Sequence, residues 1–171
     1  MGLGSAFKCW PHNMGGQKKK SKQPSSSRRV GERDSPFVVV LDENHGTTPE
    51  LLRELNALGV CYKTLNECGI SPGTEDVPIL RAVGKRGWIL VTTDKAIRRN
   101  ALEYAVAVEF SVGQFVFSNN NMNGPEIAHA FRLAFNDLVD IATREKRPFV
   151  ASIGKTGTVK LLFNASGRVL S

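Results

Sequence analysis

Short apolar runs and helical stripes alternate along the chain from residue 37 onward. Phe37-Val38-Val39-Val40-Leu41 is an unbroken, β-branched run, the pattern of a strand buried on both faces. Thr48-Pro49-Glu50 then opens a helix, with Thr48 as N-cap and proline at the first helical position. Leu51, Leu52, Leu55 and Leu58 follow at helical spacing, and Gly59 ends the pattern. Val60 to Leu65 reads as a second strand. After the loop from Asn66 to Gly73, Thr74 is placed to cap a second helix, with Glu75 and Asp76 in its first turn. Ile79, Leu80 and Val83 form its stripe, and Gly84 and Gly87 bracket its end. Trp88 to Thr92 is a third strand and Gln114 to Phe117 a short fourth. Asn123-Gly124-Pro125-Glu126 starts a long helix reaching about Arg144, with Ile127, Phe131, Ala134, Phe135, Leu138 and Ile141 on one face. Phe149–Ile153 and Val159–Phe163 flank Gly154-Lys155-Thr156-Gly157 as a hairpin.

Alternating strands and helices predict an α/β fold: a mostly parallel central sheet with helices on both faces, three layers in all, and a C-terminal β-hairpin. The expected domain runs over residues 36–165. Residues 166–171 are a short C-terminal tail. Residues 1–35 have no sustained period and are rich in Gly, Ser, Lys, Gln and Pro, so they read as a disordered basic tail.

Charge sharpens that division. The chain of 171 residues has a formal net charge of +7. Residues 1–35 hold eight Lys/Arg against Glu32 and Asp34, so nearly all of the excess lies there. The folded part must attract a polyanion through local patches. No apolar run approaches bilayer length, so no membrane partner is expected, and no signal-peptide core opens the chain, so secretion is not expected. The three cysteines, Cys9, Cys61 and Cys68, have no disulfide-framework spacing and read as reduced thiols of a cytoplasmic protein.

The chemistry is concentrated where strands end. Strand one delivers Asp42-Glu43-Asn44 and strand three delivers Asp94-Lys95. Parallel strands share a C-terminal edge, which is where open α/β sheets bind ligands. Asp76, at the start of a helix that follows strand two, belongs to the same edge. Carboxylates converging there repel one another unless a cation neutralises them. Asp42, Asp76 and Asp94 are therefore candidate ligands of Mg²⁺, with Glu103 as a fourth catalytic carboxylate. Such a centre suits phosphodiester chemistry. Each acid also has an ordinary explanation. A helix dipole favours acids in its first turn, and Asp after a strand is a common turn residue. Glu103 could pair with Arg99 four residues earlier. Lys95, Arg98 and Arg99 would grip flanking phosphates, or form a solvated helical face. Glu43, Glu75 and Asn119 are accessory candidates, although a turn role suits Asn119 equally. Nucleophilic triads and glycine-rich phosphate loops are absent.

Leu41-Asp42-Glu43-Asn44, the Glu75-Asp76 helix start, Gly87-Trp88-Ile89-Leu90-Val91-Thr92-Thr93-Asp94-Lys95 and Ile97-Arg98-Arg99-Asn100…Glu103 together resemble the PIN-like domains of VapC-type toxins. The resemblance spans nearly all of residues 37–163. It implies a metal-dependent ribonuclease, the toxin half of a bacterial toxin–antitoxin pair, with Asp42, Asp76 and Asp94 as acids binding Mg²⁺ or Mn²⁺. RNA, held through Lys95, Arg98, Arg99 and Asn44, and a cognate antitoxin protein are the implied partners. The chain departs from the broader pattern at Asn119, where an Asp is usual after the fourth strand, and at Glu43, an extra carboxylate. Two other readings stay open: a PIN-like module that binds nucleic acid or antitoxin without cleaving, and a receiver-like phosphoacceptor domain. The apolar face of the long helix offers a homodimer surface, though such faces usually belong to a core.

Overall fold

The polar loops cut the chain into segments that each bury one face, and the sheet forms because the apolar runs pair side by side. The structure, a computed structural model, describes residues 37–43, 48–71, 73–94 and 100–168. The expected basic tail lies outside these residues. In chain order the elements are β1 (Val38–Leu41), α1 (Pro49–Ala57), β2 (Cys61–Thr64), a 3-10 turn (Asn66–Cys68), α2 (Asp76–Lys85), β3 (Ile89–Thr92), α3 (Ala101–Glu109), β4 (Gly113–Phe117), α4 (Gly124–Arg144), β5 (Phe149–Ile153), β6 (Val159–Asn164) and β7 (Gly167–Arg168).

The seven strands form one sheet in the order β2-β1-β3-β4-β5-β6-β7. β1 to β5 are parallel. β6 and β7 turn back antiparallel, extending the sheet to Arg168. The chain leaves β1 toward β2, then crosses back over β1 to reach β3. The direction of winding therefore reverses between β1 and β3. Asp42 and Asp94 follow those two strands, so the sheet opens its crevice between the acids.

Helices cover both faces. On one face α1 and α4 pack Leu51, Leu55, Phe131, Ala134 and Leu138 against Val39, Leu41, Ile89, Val91, Phe115 and Phe117. On the other, α2 and α3 pack Ile79, Leu80, Val83, Val106 and Ala107 against Val40, Leu90, Val116 and Val150. Alternate residues of the same strands supply the two layers, as the period of two requires. The expected three-layer α/β/α architecture is observed. The apolar face of α4 is spent on this core: Ile127, Phe131, Ala134 and Leu138 are all buried.

Local choices explain the element ends. Asn123 and Glu126 form a reciprocal capping box that starts α4: the Glu126 N–H donates to Asn123 Oδ1 and the Asn123 N–H donates to Glu126 Oε2, both at 3.0 Å. Thr48 is the N-cap of α1, as expected, but its side chain makes no capping hydrogen bond. At α2 the expected cap is displaced by one residue. Glu75 occupies the N-cap, while the Thr74 hydroxyl donates to the Ser71 carbonyl at 2.6 Å. Thr74 is thus consumed by the preceding turn. The helix α2 ends at Lys85, between Gly84 and Gly87 as expected, and a Cβ on Gly84 would collide with the Phe110 carbonyl oxygen at the end of α3. Only glycine lets these two helices approach so closely. Among the described residues, no helix is long and apolar enough to cross a membrane.

Candidate active site at the sheet crevice

Between β1, β3, β4 and the two helices α2 and α3 lies an open pocket of about 350 Å³, part of it continuous with solvent. Four carboxylates line it: Asp42, Asp76, Asp94 and Glu103. They come from four elements spread over sixty residues of chain, as the parallel edge requires. Ile79, Leu80 and Leu90 supply its apolar floor, and Thr92 and Gln114 its remaining polar groups.

The acids are held by specific hydrogen bonds. Asp42 is half-buried. Its Oδ2 accepts from the Thr92 hydroxyl at 2.9 Å and its Oδ1 from the Glu43 N–H at 2.6 Å. The Asp42 N–H donates to the Val91 carbonyl at 3.1 Å, which continues the β1–β3 ladder up to the acid itself. Thr92 has a second bond: its Oγ1 accepts from the Asp94 N–H at 2.9 Å. One hydroxyl therefore ties the two aspartates of neighbouring strands together. Glu103, in the first turn of α3, is only 7% exposed. The Asn100 side chain serves it twice over: Oδ1 caps α3 by accepting from the Leu102 N–H at 3.0 Å, and Nδ2 donates to Glu103 Oε1 at 2.5 Å.

The electrostatics register the crowding. Burial pushes the Asp76 carboxyl above its ordinary range, and Asp94 and Asp42 push it further. Burial also raises Glu103, and Asp76 and Asp94 add to that rise, while the hydrogen bond from Asn100 opposes it. Asp76 thus feels Asp42 and Asp94, and Glu103 feels Asp76 and Asp94. Among the described residues, however, no three His, Cys, Asp or Glu side chains draw together into a ready metal-binding group. The four acids share a pocket without closing on a common point.

The donor chemistry nevertheless fits a hard divalent cation. Among the described residues, every charged group lining the pocket is an oxygen acceptor and none is cationic. One further acceptor, Gln114 Oε1, is buried there with no hydrogen-bond partner. Asp42, Asp76 and Asp94 are the residues that would hold such an ion, with Glu103 deeper beside them.

The accessory candidates lie elsewhere. Glu43 is exposed and does not line the pocket; its Oε1 accepts from the Gly73 N–H, pinning the end of β1 to the loop before α2. Glu75 is exposed at the N-cap of α2 and outside the pocket lining. Asn119 Oδ1 accepts from the Asn121 N–H at 2.9 Å and forms a local turn. A short polar side chain at a strand end finds backbone donors two residues away more readily than a distant site. Asn44, Lys95, Arg98 and Arg99 lie outside the described residues. Sequence patterning overlooked Thr92, Asn100 and Gln114. The available signals were a threonine two residues before Asp94, hence on the same side of the strand, an N-cap asparagine three residues before an acid, and a lone amide in the otherwise apolar Val112–Phe117 run.

A stability prediction follows from the raised acids. A carboxyl raised in the folded state keeps its proton to higher pH than in the unfolded chain, so stability falls as pH climbs from the ordinary values of 3.8 and 4.5 through the raised ones. Above that window the full penalty is present. In metal-free buffer, Glu103→Gln is expected to melt above the parent at pH 7.5. The difference should vanish near pH 4. Thermal denaturation across pH checks both halves, and a Glu103→Gln advantage that grows toward acid would contradict the crowding.

No curated protein and no solved structure is significantly similar to this chain. The described architecture is consistent with the α/β/α fold of PIN-like domains. Residues 37–119, the stretch that contains β1 to β4 and all four pocket carboxylates, match the family model described as PIN like domain.

Proposed function

We propose that the protein is a metal-dependent endoribonuclease of PIN-like type, hydrolysing RNA phosphodiester bonds with Mg²⁺ or Mn²⁺. The observation that carries this reading is the meeting of four carboxylates from separate elements in one pocket at the winding reversal of the sheet. The family match over the same residues supports it. When bound, the ion would lower the pKa of a coordinated water and neutralise charge developing on the scissile phosphate. The chain's own groups do the rest. Asp42, Asp76 and Asp94 supply the negative field that gathers the cation. Thr92 and Asn100 hold Asp42 and Glu103 in place, so the field exists before substrate arrives. Glu103, whose carboxyl burial holds above its ordinary range, is the pocket acid proposed to exchange a proton. Lys95, Arg98 and Arg99, which follow Asp94 in sequence, and Asn44, which follows Asp42 and Glu43, would grip the RNA backbone.

The finer biological reading is the toxin of a bacterial toxin–antitoxin pair, acting in a cytoplasm. Its motivation is the resemblance of the Asp42 and Asp94 segments to VapC-type toxins. An antitoxin would need an apolar surface, and α3 exposes Leu102, Tyr104 and Val108. A second reading is favoured by one observation. The carboxylates do not draw into a group of three, which suits a module that binds RNA or antitoxin and has lost cleavage. The receiver-like reading gains nothing from the family match.

The deciding experiment incubates purified protein with single-stranded RNA and Mn²⁺, with and without EDTA. Cleavage that requires Mn²⁺ and stops with EDTA is expected. RNA binding without cleavage at any Mn²⁺ or Mg²⁺ concentration would select the binding module instead.

A further inference from the structure

Gln114 is the least expected residue of the pocket. It sits in β4 in a row with Val40, Leu90 and Val150, its register partners across four strands. That row faces α2 and α3 and is otherwise apolar. Gln114 is 2% exposed, yet its Oε1 has no hydrogen-bond partner. A buried amide oxygen without a donor forfeits its hydration with nothing in exchange. An apolar residue would avoid that cost and complete the row. The carboxylates that share its pocket cannot help, because ionised they are acceptors only.

Among the described residues none supplies the missing donor, and a water entering the pocket would. Gln114 pairs with Leu90, two residues before Thr92, so it lies about 6.6 Å deeper along the strands than the level from which Asp42 is held. A divalent ion sits about 2.1 Å from its bound water, and that water reaches an acceptor about 2.8 Å away. Together these span about 5 Å, comparable with the depth of Gln114 beneath the acids. A cation that keeps several waters presents donors only, and this pocket presents acceptors at two depths.

We propose that Gln114 is a positioning residue of this site: its Oε1 accepts a hydrogen bond from a water carried by the cation and sets how deeply the hydrated ion rests. The proposal depends on the metal-dependent reading above. It assigns the pocket a preference for a partly hydrated ion rather than a bare one, which agrees with acids that share a cavity without closing on one point.

Calorimetric Mn²⁺ titration of the whole chain, combined with metal-free melting, tests it without reference to cleavage. Gln114→Met is close in volume and has no comparable acceptor. It is expected to bind Mn²⁺ about 10–100-fold more weakly, the usual cost of losing an outer partner of a metal site. Its metal-free Tm should equal or exceed the parent's, because an unsatisfied acceptor has gone. Gln114→Glu keeps the acceptor and adds charge, so it should bind more tightly than the parent. Unchanged Mn²⁺ affinity in Gln114→Met overturns the proposal while leaving the metal reading intact, and a lowered metal-free Tm alongside it would mark the amide as packing. If Gln114→Met does not fold, Gln114→Glu decides: tighter binding supports the role, and equal or weaker binding refutes it. Parent protein that binds no Mn²⁺ removes the metal reading and this inference together.

Discussion

Asp94→Asn is expected to cut Mn²⁺-dependent RNA cleavage by at least about a hundredfold while leaving the protein folded. The residue lines the pocket and its backbone N–H is anchored to the Thr92 hydroxyl, so the substitution changes charge more than position. Charge stabilisation by a bound metal is worth several kcal/mol at the transition state, and each 1.36 kcal/mol is about tenfold in rate. Metal-free stability should not suffer. Asp94 contributes to the repulsion that raises both Asp76 and Glu103, so its neutralisation relieves two neighbours. The expected signature is therefore lost turnover with an equal or higher Tm. Initial rates on single-stranded RNA and a melting curve read the two halves, and a variant as active as the parent would remove Asp94 from the chemistry.

Phe115→Ala is expected to destabilise the fold by about 3–5 kcal/mol, the usual cost of emptying a core phenylalanine site. Phe115 is fully buried in β4. Its ring meets Phe37 edge-on at 5.8 Å and Phe149 at 5.8 Å, so it joins the start of β1 to β5 across the sheet. Side chains on three different strands cannot collapse easily into the space. Whole domains have about 5–15 kcal/mol in hand, so this one change would remove a large fraction. Chemical denaturation should show the loss as a lower midpoint, with Tm down by about 10 °C. A loss below about 1 kcal/mol would mean the aromatic row is not what joins these strands.

The layer plan was legible because strands buried on both faces leave unbroken apolar runs. Phe37–Leu41 and Trp88–Thr92 announce two of the central strands directly, and the acids behind them announce the edge. The stripe Ile127, Phe131, Ala134 and Leu138 likewise marked a core helix. What escaped depends on neighbours that are distant in sequence. Thr92 matters because Asp42, fifty residues away, accepts its proton. Gln114 matters because of what surrounds it across three strands, and a single polar residue in an apolar run does not say whether its partner exists. Local rules failed in a similar way at Thr74, where two backbone sites competed for one hydroxyl and the turn carbonyl of Ser71 won. Asn119 illustrates the converse: its place after β4 suggested the site, but a donor two residues away satisfied it first.

The order in which the strands lie has a practical corollary for anyone wishing to trim the chain. The family-matched stretch stops at residue 119, just past β4, whereas β4 is flanked by β5 and roofed by α4, which both come later. Cut there, β4 would become a naked border with unpaired amides and carbonyls along its length and Phe115 and Phe117 stripped of their cover. Such a border is a template for sticking to another molecule. The smallest autonomous piece must therefore carry the late helix and the returning strands, although none of the four pocket carboxylates comes from them.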